Sequence, residues 1–237
     1  MIGALFWLSM RQAASPKRLL LLSVVSLLPV GLSALLVALD EADIEGIVGG
    51  GFEPLVISFI LPLVVIVLAS GSFGNEVEDR TLSLLTTKPV PRWSLVLAKL
   101  LGTIVVAAPM MAAVAVAMTA LAPDRETGII VAAAVGAVVG VVVYASVFTW
   151  AGMVTTRALA FGLVYVMLWE ALITSFLSGT RYLSVRSYTI GVMHGMEGSP
   201  FSETLALGYQ ASIVGAVVVT VLFFALAVRR LSRMDVP

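Results

Sequence analysis

The chain has 237 residues, of which 60% are hydrophobic and only 12% are charged, and its mean hydropathy is +1.08. A soluble domain carries about a quarter charged residues, so this composition argues against a soluble protein and indicates an integral membrane protein. The formal net charge is zero, which gives no electrostatic reason to expect a nucleic-acid partner. The sequence contains no cysteine, so disulfides, thiol catalysis and thiolate metal sites are excluded.

The N-terminal arm, residues 1–18, is predicted to lie in the membrane interface. Its first ten residues, MIGALFWLSM, are apolar but too short to span a hydrocarbon core of roughly 30 Å. Bases follow this stretch, whereas in a secretory signal they precede the apolar core. An interfacial helix with Trp7 at the level of the lipid headgroups accounts for both features.

Six apolar runs approach the length needed to cross a membrane, about 20 residues at about 1.5 Å each. They cover residues 19–39, 55–73, 100–121, 129–153, 158–177 and 205–228. The sequence therefore predicts an all-α integral membrane protein with six transmembrane helices, folded as a single transmembrane domain over residues 1–237.

Lysine and arginine residues concentrate on one side of these predicted spans. Eleven lie in the N-terminal arm, in the connections between spans two and three and between spans four and five, and in the C-terminal tail. The opposite side holds three. Because basic residues are enriched in cytoplasmic loops, both termini are predicted to be cytoplasmic.

The connection between spans two and three contains a dense polar block, residues 75–93, with the sequence NEVEDRTLSLLTTKPVPRW. Asn75 and Glu78 are spaced to cap the start of a helix, and acids fill its first turn. An apolar stripe at helical spacing follows, and Pro89 and Pro91 end the helix. The pattern predicts a helix of about three turns that binds a groove on a soluble partner. A solvated loop whose charges only set the topology is the alternative.

A second span followed by NEVEDRTLSLLTTKPVPRWSLVLAKLLG resembles the pattern of ABC-2-type permeases, the membrane subunits of ATP-binding cassette transporters. The six predicted spans, the interfacial arm and the mass of 24.9 kDa are similar along nearly the whole chain. The resemblance implies a cytoplasmic coupling helix that docks on a separate ATPase subunit. The implied coupling residues are Glu78, Asp79, Arg80, Thr81, Leu82, Leu85, Pro89 and Arg92, with Lys99 on the return into the membrane.

The resemblance also implies the partners and the location of this chain. It implies a permease subunit in the inner membrane of a prokaryote, paired with a second copy as a homodimer. The sequence has no phosphate-binding GxxxxGK[ST] motif and no soluble stretch long enough for a nucleotide-binding domain. The chain is therefore predicted not to be an enzyme and to hold no cofactor, and ATP and magnesium are expected on the partner subunit.

Glu170 is the only acid or base well inside a predicted span, where an ionised group costs roughly 2.5–3.5 kcal/mol on insertion scales. One interpretation is that it lines the translocation pathway or an interface with a second copy. The other is a protonated carboxyl group that is hydrogen-bonded to a neighbouring helix, or one that water reaches at a short, broken span. The segment that follows, residues 178–204, is predicted to be re-entrant, as in similar permeases, with one or two helical pieces. Arg181, Arg186 and His194 in this segment are candidates to contact an anionic substrate or lipid headgroups, or to anchor the segment.

Two other functions remain open on the sequence. The chain could transmit force to an extracytoplasmic partner without carrying a substrate, or it could be a channel or secondary transporter that works without ATP. An intramembrane enzyme is disfavoured, because Glu170 stands alone inside the predicted spans. Gly136 and Gly140 form a GxxxG motif, which is too common in membrane helices to assign a dimer interface.

Overall fold

The computed structural model describes residues 7, 10, 15–39, 46–78, 91–122, 126–155, 157–173, 178–198, 200–203 and 205–233. Every regular element within these ranges is helical, which confirms the predicted all-α class. The helices are α1 (Pro16–Ala38), α2 (Gly46–Ile60), α3 (Leu61–Glu78), α4 (Arg92–Ala120), α5 (Thr127–Val154), α6 (Ala158–Val164), α7 (Tyr165–Ile173), α8 (Ser178–Leu183), α9 (Val185–Glu197) and α10 (Tyr209–Arg233).

Several helices join without a break or depart from α geometry. Helix α2 has the wider π winding and continues directly into α3, and α6 continues into the π-wound α7. The wide winding of α2 coincides with three consecutive glycines and with Pro54, residues of low α-helix propensity. The short α8 is a 3₁₀-helix.

Five helices in the described part of the chain are long and apolar enough to cross a membrane. They are Pro16–Ala38, Gly46–Ser70, Arg92–Ala120, Thr127–Val154 and Tyr209–Arg233. The predicted fifth span corresponds to a shorter apolar helix, Ala158–Glu170. The chain is thus a multi-pass membrane protein, whose described residues form five long apolar helices and one short one.

Several helix starts differ from the sequence prediction, and the third span begins at Arg92 and not at residue 100. Helix α1 begins at Pro16, because proline fits the first turn of a helix, where no backbone N–H donor is needed. The second span begins at Gly46 and not at residue 55, because the glycine-rich stretch before Leu55 is helical.

The helix of the second span also continues to Glu78. Asn75 therefore lies within α3 and not at the start of a separate helix, so its predicted capping role is wrong. Capping residue types do not interrupt a helix whose backbone hydrogen bonds continue through them. Of the interfacial arm before residue 15, Trp7 and Met10 are described; both are helical, and Trp7 is exposed.

Helix α5 lies at the centre of the bundle and packs against α3, α4, α9 and α10. Its alanine- and glycine-rich sequence lets neighbouring backbones approach closely. Helices α1 and α10 lie at the periphery and expose many large apolar side chains, which suits contact with lipid.

One end of the bundle, here called the basic end, carries Arg92, Arg157 and the arginines of the last turns of α10. There α4, α5 and α10 share a small apolar cluster, separate from the main core, of Leu95, Val96, Met153, Ala227 and Leu231. The other end of the bundle is here called the opposite end.

Candidate functional site

Helix α9 enters the bundle from the opposite end and lies antiparallel to α5. Gly128, Gly136 and Gly140 of α5 face Glu197, Met193 and Thr189 of α9, respectively. Gly140 lies about 20 Å along α5 from Thr127, at about 1.5 Å per residue. Because Gly140 faces Thr189, near the start of α9, the N-terminus of α9 lies near the middle of α5.

The GxxxG motif of α5, Gly136 and Gly140, contacts α9 of the same chain. A Cβ atom added to Gly136 would lie 2.3 Å from Cε of Met193. One added to Gly140 would lie 2.9 Å from Oγ1 of Thr189. Both distances are shorter than van der Waals contact, so the two glycines allow α9 to approach the α5 backbone.

Glycines also fit the other face of α9 against α10 and the segment before it. A Cβ atom on Gly191 would lie 2.1 Å from Oγ of Ser212 and 2.7 Å from the carbonyl oxygen of Leu207. A Cβ atom added to Gly195 would likewise lie 2.4 Å from Cδ2 of Tyr209. Helix α9 is therefore held between α5 and α10, at backbone distances that side chains would prevent.

The carboxylate of Glu170 binds the N-terminus of α9. Its Oε2 accepts hydrogen bonds from Oγ of Ser184 at 2.5 Å and from the backbone N–H of Arg186 at 3.3 Å. Its Oε1 accepts from the backbone N–H of Val185 at 2.9 Å and from the hydroxyl of Tyr165 at 3.1 Å. The first N–H groups of a helix have no partner within the helix, and negative charge stabilises that end.

Glu170 itself is 0% exposed within the single chain. Its hydrogen bonds to the first turn of α9 agree with the interpretation in which it binds a neighbouring helix, and the predicted protonation stays a prediction. A role on a translocation pathway or at an interface with a second copy stays a prediction.

A second buried carboxylate, that of Glu53, binds the segment that follows α9. Glu53 is 2% exposed, and its Oε1 accepts a hydrogen bond from the backbone N–H of Ser202 at 2.8 Å. Its Oε2 accepts from the hydroxyl of Ser202. Glu53 was not among the site residues predicted from the sequence, because α2 begins earlier than the predicted second span and includes it. The available signal was a single acid among fourteen uncharged residues in GIVGGGFEPLVISFI.

Two further candidates of the sequence analysis, Arg186 and His194, lie in this region. Half-buried Arg186 lies in the electrostatic field of both Glu53 and Glu170. His194 Nδ1 is 3.0 Å from the carbonyl oxygen of Phe201. The contact of His194 suits the interpretation in which the segment is anchored, whereas the buried Nε of Arg186 has no hydrogen-bond partner within the described part of the chain. Among the described residues, no three acids or histidines converge as a metal site.

At the basic end, Arg92 joins the start of α4 to the last turn of α10. Its Nη1 donates a hydrogen bond to the carbonyl oxygen of Leu231 at 2.5 Å. Arg92 was predicted to belong to the coupling segment at its return into the membrane, and the structure places its guanidinium on a neighbouring helix of the same chain. Lys99, predicted in the return into the membrane, is buried in α4.

The other predicted coupling residues lie mostly outside the described residues. Glu78 is the last residue of α3. The remainder, Asp79, Arg80, Thr81, Leu82, Leu85 and Pro89, belong to the part of the chain that the structure does not describe. Their assignment to coupling stays a prediction.

An apolar groove of about 420 Å³ runs between α5 and α10. Valines form much of its lining, and Val192 of α9 contributes to it. Tyr209 and Thr220 are the hydroxyl-bearing residues among those that line it. The groove therefore presents mainly hydrocarbon to whatever fills it.

The helical bundle can be compared with known protein families. No curated protein matches the chain. A family model described as "ABC-2 family transporter protein" matches residues 4–236, nearly the entire chain, and agrees with the resemblance seen around the polar block. With its long apolar helices, the chain therefore belongs to the ABC-2 family of transporter proteins, as a membrane-embedded permease.

Proposed function

We propose that this chain is the membrane subunit of an ABC transporter that moves a substrate across the cytoplasmic membrane of a prokaryote. The family match over residues 4–236 carries this proposal. A separate subunit binds ATP and magnesium and hydrolyses the ATP, since this sequence has no phosphate-binding motif. The permease itself catalyses no reaction.

The basic end is the part of the bundle that receives movement from the ATPase. The segment 75–93 leaves α3 and returns at the start of α4, so a displacement of this segment acts directly on both helices. The hydrogen bond between Arg92 and Leu231 extends that displacement to α10. One docking segment thus acts on three helices.

The basic end is cytoplasmic in this proposal, following the enrichment of arginine and lysine in cytoplasmic loops. The chain then crosses the membrane six times with both termini inside, and α6 and α7 form the short fifth crossing. Two copies pair around a shared pathway, and the exposed apolar faces of α1 and α10 provide surface for lipid and for the second copy.

Co-purification with an ATPase tests the proposal. The chain is co-expressed with the ABC-type ATPase encoded beside it, and the complex is compared for wild type and Asp79→Ala/Leu82→Asp. We expect the double substitution to abolish co-elution while the permease remains monodisperse. The matched control, Asp79→Glu/Leu82→Met, preserves the charge and the apolar side chain and should retain the complex. If the permease purifies alone and the substitutions change nothing, the channel or secondary-transporter alternative replaces the proposal.

A force transmitter is the second candidate within the same family. The observation that favours it is the close packing of α10 on α9, which passes movement from the basic end to the opposite end, where an extracytoplasmic partner binds. Reconstitution with the ATPase in sealed vesicles distinguishes the two. Uptake of a hydrophobic or amphipathic cargo that depends on ATP supports transport, and ATP hydrolysis that only an added extracytoplasmic partner stimulates supports force transmission.

A further inference from the structure

Helix α9 is tied to two different parts of the bundle, one near each of its ends. Glu170 of α7 binds its N-terminus, and Glu53 of α2 binds Ser202, four residues after Gly198. Both carboxylates are buried, so each contact excludes competing water. The position of α9 therefore depends on two separate anchors.

The two anchors differ in what they hold. Glu170 binds the helix itself, because it accepts from the backbone N–H groups of Val185 and Arg186 in the first turn. Releasing it leaves buried N–H groups without a partner. Glu53 accepts hydrogen bonds from Ser202, beyond the end of the helix, and its action on the helix itself is its electrostatic field at Arg186. The intervening Gly198 has a φ of +66°, a conformation that glycine adopts easily.

Between the two anchors, the hydroxyl groups of Thr189 and Tyr188 on α9 make their hydrogen bonds close by in the sequence and not to α5 or α10. Oγ1 of Thr189 donates within the helix to the carbonyl oxygen of Val185 at 3.0 Å, and the hydroxyl of Tyr188 donates to the carbonyl oxygen of Tyr182. Contacts to α5 and α10 are made at glycines. Moving the C-terminal end of α9 therefore leaves these two hydroxyl groups paired within their own segment.

We propose that α9 is a swinging helix, with the Glu53–Ser202 contact as its latch and the Glu170 contact as its pivot. Loss of the latch frees the end of α9 at Glu197, while the N-terminal end stays on Glu170. This inference goes beyond the transporter proposal, because it concerns a movement within this chain and can be tested in the absence of any ATPase.

Cysteine accessibility provides the test, since the sequence contains no native cysteine. Single reporters are placed at buried positions on the movable part and at the pivot, as Met193→Cys and Val185→Cys. The labelling rate with a water-soluble maleimide is measured for the purified full chain in lipid nanodiscs. Each reporter is combined with Glu53→Ala, with Ser202→Ala, or with the matched control Glu203→Ala, which removes the exposed acid next to Ser202.

We expect Glu53→Ala to raise the labelling rate at position 193 by about tenfold or more, the factor that corresponds to loss of one charge-assisted hydrogen bond. The rate at position 185 should rise much less, because Glu170 still binds the first turn while Arg186 loses only the electrostatic field of Glu53. Glu203→Ala should change neither rate. Ser202→Ala should raise the rate at position 193 by a smaller factor, because the backbone N–H of Ser202 still binds Glu53.

Three results would overturn the inference: an unchanged rate at position 193, equal increases at positions 193 and 185, or an equal increase with Glu203→Ala. A reporter at buried Ala115 of α4 detects general unfolding. If the reporter at position 115 also reacts faster in Glu53→Ala, that variant has partly unfolded, and the milder Ser202→Ala variant is used to test the inference. In Ser202→Ala, the labelling rate should again rise more at position 193 than at position 185.

Discussion

The basic end and the α9 region are held together by different kinds of contact. At the basic end, an exposed arginine reaches one carbonyl oxygen, above a small apolar cluster. Around α9, two buried carboxylates and several glycines fix a helix at close backbone distance. A solvated charge exchanges partners at little cost, whereas a buried carboxylate that loses its donors is costly. The comparison indicates that movement is easier at the basic end and that order is strictest where Glu170 meets α9.

The largest effect is expected for Glu170→Ala. The substitution leaves the hydroxyl of Ser184 and the N–H groups of Val185 and Arg186 without their acceptor. Each buried unsatisfied group costs about 1–3 kcal/mol, so the free energy of unfolding should fall by about 3 kcal/mol or more. Denaturant titration of the purified chain in detergent measures it.

Glu170→Gln separates charge from hydrogen bonding at this position. The amide oxygen still accepts, but its NH₂ group faces donors, so an intermediate loss is expected. Glu203→Ala serves as the exposed control. Equal stabilities for wild type and Glu170→Ala would mean that the first turn of α9 finds other acceptors, and the contrast with the basic end would disappear.

A smaller loss is expected for Gly191→Ala. The added Cβ atom meets the carbonyl oxygen of Leu207, a backbone atom that cannot rotate away. Overpacking of this kind costs about 1–3 kcal/mol, which should lower the thermal midpoint. Gly128→Ala is the matched comparison, because its Cβ atom meets only the carboxyl end of the flexible, exposed side chain of Glu197 and should cost less. Equal losses for the two variants would contradict the idea that backbone contact fixes α9.

The sequence predicts the parts of this fold that depend on local hydropathy. The all-α class and most of the long apolar helices follow from the length of apolar runs and the spacing of charges. The role of Glu53 cannot be found that way, because its partner Ser202 is 149 residues away in the sequence. For the same reason, the GxxxG motif does not reveal by itself that Met193 and Thr189 fill the space beside it.

At the basic end, Arg92→Ala tests how much the contact with α10 contributes. It removes the hydrogen bond to Leu231 and a positive charge at the C-terminal end of a helix, where such a charge is favourable. Because Arg92 is exposed, the free energy of unfolding should fall by only about 1 kcal/mol. Arg157→Ala removes another exposed arginine at the same end and should have no measurable effect. A loss as large as that of Glu170→Ala would show that the basic end and the α9 region are equally rigid.

The smallest effect, and one of opposite sign, is expected for Gly31→Ala in α1. No atom lies within 4 Å of a Cβ atom added there, and the position is exposed. Alanine is favoured over glycine inside a helix by about 0.5–1 kcal/mol, so the substitution should raise the thermal midpoint slightly. The comparison is made in detergent and again in nanodiscs, at matched protein concentrations. A rise in both would show that the close backbone approach at Gly191 is not shared by α1. A fall that appears only in nanodiscs would contradict the prediction, because it would mean that another chain packs against α1 at Gly31.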